Sequence, residues 1–207
     1  MFDGAGFAIF LTGALLLNIT PGPDMAFTLA STARGGARAG IAAAIGVGAG
    51  SLGWAAATAA GLAAMLAASE HAFTFIRIAG GFYLLFLAVR TFSEKPPAYE
   101  PVAHAGLAKA FRAGALTNLF NPKVGLFFLA FLPGFVDVEA GYVAAQTFML
   151  GAIFSVTGSC VLVLVAMAAG AVRERVLGSG GIASAMKYVS ASIFGGLGFY
   201  LLLGDER

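Results

Sequence analysis

Thr20-Pro21-Gly22-Pro23-Asp24 interrupts the first long apolar run of the chain, and Asn118-Leu119-Phe120-Asn121-Pro122-Lys123 interrupts another about a hundred residues later. A proline inside a helix removes a donor and clashes with the carbonyl four residues back, at a cost of roughly 3 kcal/mol or more. In hydrocarbon an unpaired backbone group is costlier still, so broken helices occur at membrane depth only where protein groups or a water-filled cavity satisfy them. Both stretches therefore predict helices broken inside a membrane. Each break also carries a charge in apolar surroundings, Asp24 in the first and Lys123 in the second.

Composition supplies the membrane. The chain has 207 residues, 59% of them hydrophobic and only 11% charged, with a mean hydropathy of +0.90. Soluble domains carry about 25% charged residues, so this is a polytopic membrane protein in contact with lipid. The 29 glycines suit helices that pack closely in a bilayer. A net charge of +2 gives no reason to invoke nucleic acid. Cys160, the single cysteine, excludes an internal disulfide or a cysteine-cluster metal site and reads as a small buried hydrophobe. His71 and His104 fall in connections and form no metal set, and no cofactor is expected. The start Met1-Phe2-Asp3-Gly4 lacks the positive region of a secretory signal, so the first apolar run is expected to stay in the mature protein.

Since about 20 residues cross the hydrocarbon core, six spans are expected, near 5–33 (broken), 39–67, 72–92, 109–135 (broken), 143–169 and 186–203. Basic residues mark one side. Arg34 and Arg38, then Arg90, Lys95, Lys109 and Arg112, then Arg173, Arg175 and Lys187 lie in alternate connections, and only Arg77 and Arg207 go against the pattern. The positive-inside rule then puts these loops in the cytoplasm and both termini in the periplasm. The connection 93–108, with Pro96, Pro97 and Pro101, divides a first half, 1–92, from a second, 109–207, within one transmembrane domain, 1–207. Three spans per half make the halves inverted repeats, as in many secondary transporters. Internal echoes agree: Gly81-Phe82-Tyr83-Leu84-Leu85 recurs as Gly198-Phe199-Tyr200-Leu201-Leu202, and Gly46 and Gly53 are spaced like Gly151 and Gly158.

The chemistry follows from depth. Asp24 is ten residues from Arg34 and Lys123 eleven from Arg112, about 15 Å each at 1.5 Å per residue, so both charges sit near the midplane. Such charges often mark a substrate or ion pathway. Each break starts a new half-helix, with Asn121-Pro122 as cap and first residue, and Thr20-Pro21 or Gly22-Pro23 as the equivalent pair in the first half. A helix start offers unpaired N–H groups to an anion. One carboxylate, one ammonium and these N–H groups are complementary to a zwitterion, with Asp24 on an amino group and Lys123 on a carboxylate. The expected substrate site is Asp24, Lys123, Asn18, Asn118, Asn121 and Thr20, around the breaks at Pro21, Gly22, Pro23 and Pro122. The plainer reading pairs Asp24 with Lys123 and makes Asn18, Asn118 and Thr117 interhelical hydrogen-bond glue. Likewise, Gly46, Gly50 and Gly53 read as packing surfaces.

Pro21-Gly22-Pro23-Asp24 with Gly36, Gly40, Gly46, Gly50 and Gly81-Phe82-Tyr83-Leu84 resembles the first half of the LysE/RhtB amino-acid exporter family. Gly114, Asn118, Asn121-Pro122-Lys123, Phe127-Phe128 and Phe131-Leu132-Pro133-Gly134-Phe135-Val136 resemble its second half, with Gly134 where the family often has glutamine. The resemblance covers essentially the whole chain. It implies an exporter of amino acids or close derivatives in the bacterial inner membrane, driven by the proton gradient, with Asp24 the best-placed carboxylate for coupling. Alternating access around the midplane site is the expected mechanism, and the sequence leaves room for a homo-oligomer. A cation or metal exporter on the same scaffold would call for more carboxylates, His or Cys within the spans. A non-transporting scaffold would leave the paired breaks without a purpose. An enzyme is not expected, as no nucleophile-base or metal motif is present.

Overall fold

The structure is a computed structural model that describes residues 4–68 and 106–171, with single helical positions at 78, 82, 85, 86, 89, 192, 195, 196 and 199. Every described element is helical. The expected third and sixth spans, 72–92 and 186–203, therefore lie outside the described residues apart from those positions, as do Tyr83, Tyr200 and the connection 93–105.

The first apolar run forms α1, Gly4–Ile19, and stops at the Pro-Gly-Pro break. Phe10, Ala14 and Leu17, spaced four and three apart, form its fully buried stripe, while Ile9, Leu16 and Ile19 on other faces are exposed. An all-round apolar helix with one buried stripe is what a bilayer permits, since lipid covers the rest. The chain resumes at Pro23 in α2, Pro23–Ala68.

The expected spans 5–33 and 39–67 are not separated by a loop. They meet at one residue, Gly36, with φ 73° and ψ −177°, inside an otherwise continuous α2. That backbone region is essentially reserved for glycine. The chain reverses there: a Cβ on Gly40 would collide with the Thr32 hydroxyl, whereas residues eight apart on a straight helix are about 12 Å apart. Met25 and Leu29 from the arm before Gly36 accordingly share one apolar cluster with Ala44 and Val47 from the arm after it.

The fourth expected span is α3, Leu107–Leu119, and a continuation Pro122–Phe135 bent from it by 51°. The continuation opens with α4, Pro122–Leu126, and passes through a π-type turn, Phe127–Phe131, into a 3-10 turn, Leu132–Phe135. The fifth is α5, Val143–Ala171. By length and apolarity α2 and α5 are each able to cross a membrane, as is the bent pair counted as one span.

The second arm of α2 is packed between α3 and α5. A Cβ on Gly46 would strike the Phe111 carbonyl, and one on Gly114 would strike the Ala43 carbonyl, so the α2 and α3 backbones touch at reciprocal small residues. Gly50 approaches Ala115 O and Asn118 in the same seam, whereas Gly53 meets only the end of the Leu119 side chain. Cys160 corrects the expectation of burial, for it is exposed on α5; as a small hydrophobe a thiol is tolerated on the exposed face of an apolar helix.

Candidate functional site

The site grows out of the missing N–H of Pro21. In a continuing helix that group would bond the carbonyl of residue 17, so α1 ends with the Leu17 oxygen released. Thr20 closes the last turn instead, its N–H and its hydroxyl both donating to Leu16 O at 3.0 and 2.6 Å. Lys123 reaches over from α4 and donates through Nζ to Leu17 O at 3.0 Å and Thr20 O at 2.8 Å. An ammonium is favourable at the negative end of a helix dipole. Gly22 leaves the room this needs, because a Cβ there would lie 3.3 Å from Lys123 Nζ. The two breaks thus touch each other.

On the other side of the first break, Gly22 caps and Pro23 starts α2, with Ala26 N–H donating to Gly22 O at 3.0 Å. This selects Gly22-Pro23 over Thr20-Pro21 as the helix start. Asp24 follows in the first turn, where a carboxylate complements the positive end of the helix. Its Oδ2 accepts from Asn118 Nδ2 at 2.9 Å, and Asn118 Oδ1 in turn accepts from the Ser51 hydroxyl at 3.2 Å. Asp24 Oδ1 is buried without a hydrogen-bond partner. No direct hydrogen bond joins Asp24 to Lys123, although the two charges act on each other across the cavity: one carboxylate oxygen accepts from Asn118, the other has no hydrogen bond and has the Asn121 amide nearby, and the ammonium goes to main-chain carbonyls.

At the second break Asn121 is the cap and Pro122 the first residue of α4, with Asn121 Oδ1 accepting from Lys123 N–H at 3.0 Å. Its Nδ2 is buried and unpartnered. Asn18 ties α1 to α5, donating to Phe154 O at 3.2 Å and to the Thr157 hydroxyl at 3.0 Å. Thr117 donates back to Ala113 O in its own helix, at 2.8 Å, and makes no interhelical bond among the described residues.

Of the six expected site residues, Asn18, Thr20, Asp24, Asn118 and Lys123 line one small cavity, whereas Asn121 caps α4 outside the lining, with its side-chain amide near Asp24. Sequence reasoning missed the opposite wall, formed by Gly48 and Ser51 of α2 and Ser155, Gly158 and Ser159 of α5. Their signal was serine at the glycine-rich positions of two apolar spans. Ser155 holds that wall together by donating to Gly48 O at 2.8 Å. Met25, Val47, Val124, Phe154 and Leu162 complete the lining with apolar surface.

The cavity is only about 20 Å³, room for about one water molecule, against roughly 300–1,000 Å³ for small-molecule pockets. The polar centre is therefore closed in this conformation. Phe154 of its lining belongs to an aromatic cluster, stacking on Phe127 at 4.1 Å, with Phe127 lying 6.0 Å from Phe10. Chemically, the arrangement offers one carboxylate, one lysine amine with a donor to spare, several hydroxyls, and an apolar side.

A model of the family "LysE type translocator" matches residues 15–205. Leucine efflux proteins of Salmonella typhimurium and Salmonella typhi are each 27% identical to this chain over 158 residues, covering 74% of it and 74% of the relative. An uncharacterized membrane protein of Vibrio cholerae is 31% identical over 137 residues, covering 65% of this chain and 66% of its own. No solved structure matches.

Proposed function

The chain belongs to the LysE type translocator family, and on that premise we propose that it exports neutral amino acids or close derivatives across the bacterial inner membrane. It is a transporter rather than an enzyme. The observation that carries the substrate reading is the unpartnered Asp24 Oδ1, buried in the wall of the same cavity as Lys123. A buried carboxylate oxygen without a donor is costly, and a substrate ammonium supplies the donor. Lysine has three N–H donors and Lys123 uses two, which leaves one for a substrate carboxylate. With one charge of each sign taken up in this way, the remaining wall of Met25, Val47, Val124 and Phe154 suits an uncharged aliphatic side chain. The leucine efflux relatives make leucine the first substrate to test.

Transport proceeds by alternating access, because the closed cavity requires its helices to part before a substrate enters. Asp24 is the buried carboxylate among the described residues and the group through which a proton couples to export. Arg34 and Arg38 flank the reversal at Gly36 and face the cytoplasm, with both termini in the periplasm, and the two halves form inverted three-helix repeats. Asn18 and Asn118 support this pairing: one precedes the first break and bonds α5, the other precedes the second break and bonds α2. Uptake into inverted membrane vesicles tests the reading, with a panel of labelled amino acids measured with and without a pH gradient. Neutral aliphatic amino acids are expected to accumulate, more so with the gradient, and lysine and glutamate are not. Accumulation of lysine or glutamate in preference to leucine overturns the substrate class.

A further inference from the structure

Lys123 occupies a place built for a cation. Pro21 cannot bond Leu17 O, the end of the 16-residue α1 concentrates partial negative charge there, and Asp24 stands in the same cavity wall. Released carbonyls at a helix break are a recurrent way of holding a cation within a membrane. What fills the cradle in this closed conformation is the protein's own primary ammonium, held at 3.0 and 2.8 Å by Leu17 O and Thr20 O.

We propose that the carbonyls of Leu17 and Thr20 are a binding site for primary ammonium groups, and that Lys123 is a tethered surrogate which the ammonium of the transported substrate displaces. The exchange conserves bonding. The incoming ammonium takes the two carbonyls and the unpaired Asp24 Oδ1, and Lys123, released from the cradle, turns its donors to the substrate carboxylate. An empty transporter then keeps its buried carbonyls satisfied. Gly22 is part of the device, because its missing side chain gives the Lys123 ammonium its path past the break. This deepens the zwitterion reading and rests on it only for the identity of the natural ligand; the cradle itself is defined by amine chemistry.

Removing the surrogate exposes the site. In the full-length chain, purified in detergent, K123A loses two charge-assisted bonds and is expected to unfold at a lower temperature than wild type. Ethylammonium at tens of millimolar is expected to raise the K123A midpoint by about 2–4 °C and to leave wild type unmoved. Tetramethylammonium, with the charge but no N–H, is expected to do nothing to either. If K123A is not recovered folded on its own, purification in ethylammonium is expected to restore a monodisperse protein, and failure to restore it overturns the proposal. So does a K123A midpoint that ethylammonium does not raise, an equal response in wild type, or an equal response to tetramethylammonium. Because ethylammonium is not an amino acid, these results stand apart from vesicle uptake, which can fail while the amine response holds, or the reverse.

Discussion

Replacing Asp24 by asparagine separates the binding role of this residue from its structural one. The carboxylate makes one side-chain bond, Oδ2 to Asn118 Nδ2 at 2.9 Å, and an asparagine oxygen keeps it. The amide nitrogen falls where Oδ1 now lies without a hydrogen bond, so the bond to Asn118 is kept, while the buried Lys123 ammonium loses its nearby counter-charge. D24N is therefore expected to fold, and to unfold a few degrees earlier than wild type, because a buried charge without its counter-charge is destabilising. A substrate ammonium, by contrast, loses its charged acceptor and meets a donor. A hydrogen bond involving a charged group is worth roughly 1.5–3 kcal/mol, and each 1.4 kcal/mol is about tenfold. Leucine affinity should fall roughly 10- to 150-fold. Equilibrium binding of labelled leucine to the purified proteins, read beside their thermal unfolding, gives both numbers. D24N binding leucine within twofold of wild type, while folded, refutes the assignment of Asp24 to the ammonium; a D24N that is not recovered folded at all refutes the claim that its role is local.

Other substitutions probe the frame. Gly36→Ala meets no neighbour, since nothing lies within 4 Å of a Cβ there, so its cost is the backbone strain alone, about 1–3 kcal/mol; a drop of several degrees in unfolding temperature is the expected result, and an unchanged midpoint contradicts the reversal at this residue. Gly114→Val would drive a side chain into the Ala43 carbonyl, and overpacking of this kind costs about 1–3 kcal/mol; reduced yield and a lowered midpoint are expected, with no effect if the α2–α3 seam is looser than described. Asn121→Ala removes the cap on Lys123 N–H, worth about 0.5–2 kcal/mol; it should lower stability while weakening leucine binding less than D24N does, because Asn121 is not part of the cavity lining.

Much of this arrangement is legible in the residues. Pro21 and Pro122 cannot continue a helix, so both breaks and the Asn121 cap follow from local chemistry, as do the limits of α3 and α5 in long apolar runs, whereas the choice of Gly22 over Thr20 as the first cap depends on the fold. The turn at Gly36 is harder to read. A single glycine between two helical arms resembles the many glycines used for packing, and only the positive φ singles it out. The partners of Asp24 and Lys123 are non-local. That the ammonium goes to Leu17 O and Thr20 O depends on how α4 meets the end of α1, which no local pattern encodes. Ser51 and Ser155 were missed for the same reason: a serine in an apolar span bonds its own helix as readily as a neighbour, and only the packing of α2 between α3 and α5 turns these two toward the cavity.

The central claim is that the two helix breaks together recognise both charges of one small molecule. Competition against labelled leucine on the wild-type protein, using leucine, isoamylamine and 4-methylpentanoate, tests it most directly, since the last two keep the aliphatic body and lack the carboxylate or the ammonium respectively. Leucine should compete at least about tenfold more strongly than either, each missing charge forfeiting a charge-assisted bond worth at least about 1.5 kcal/mol. Isoamylamine or 4-methylpentanoate competing as well as leucine would contradict a zwitterion site at Asp24 and Lys123.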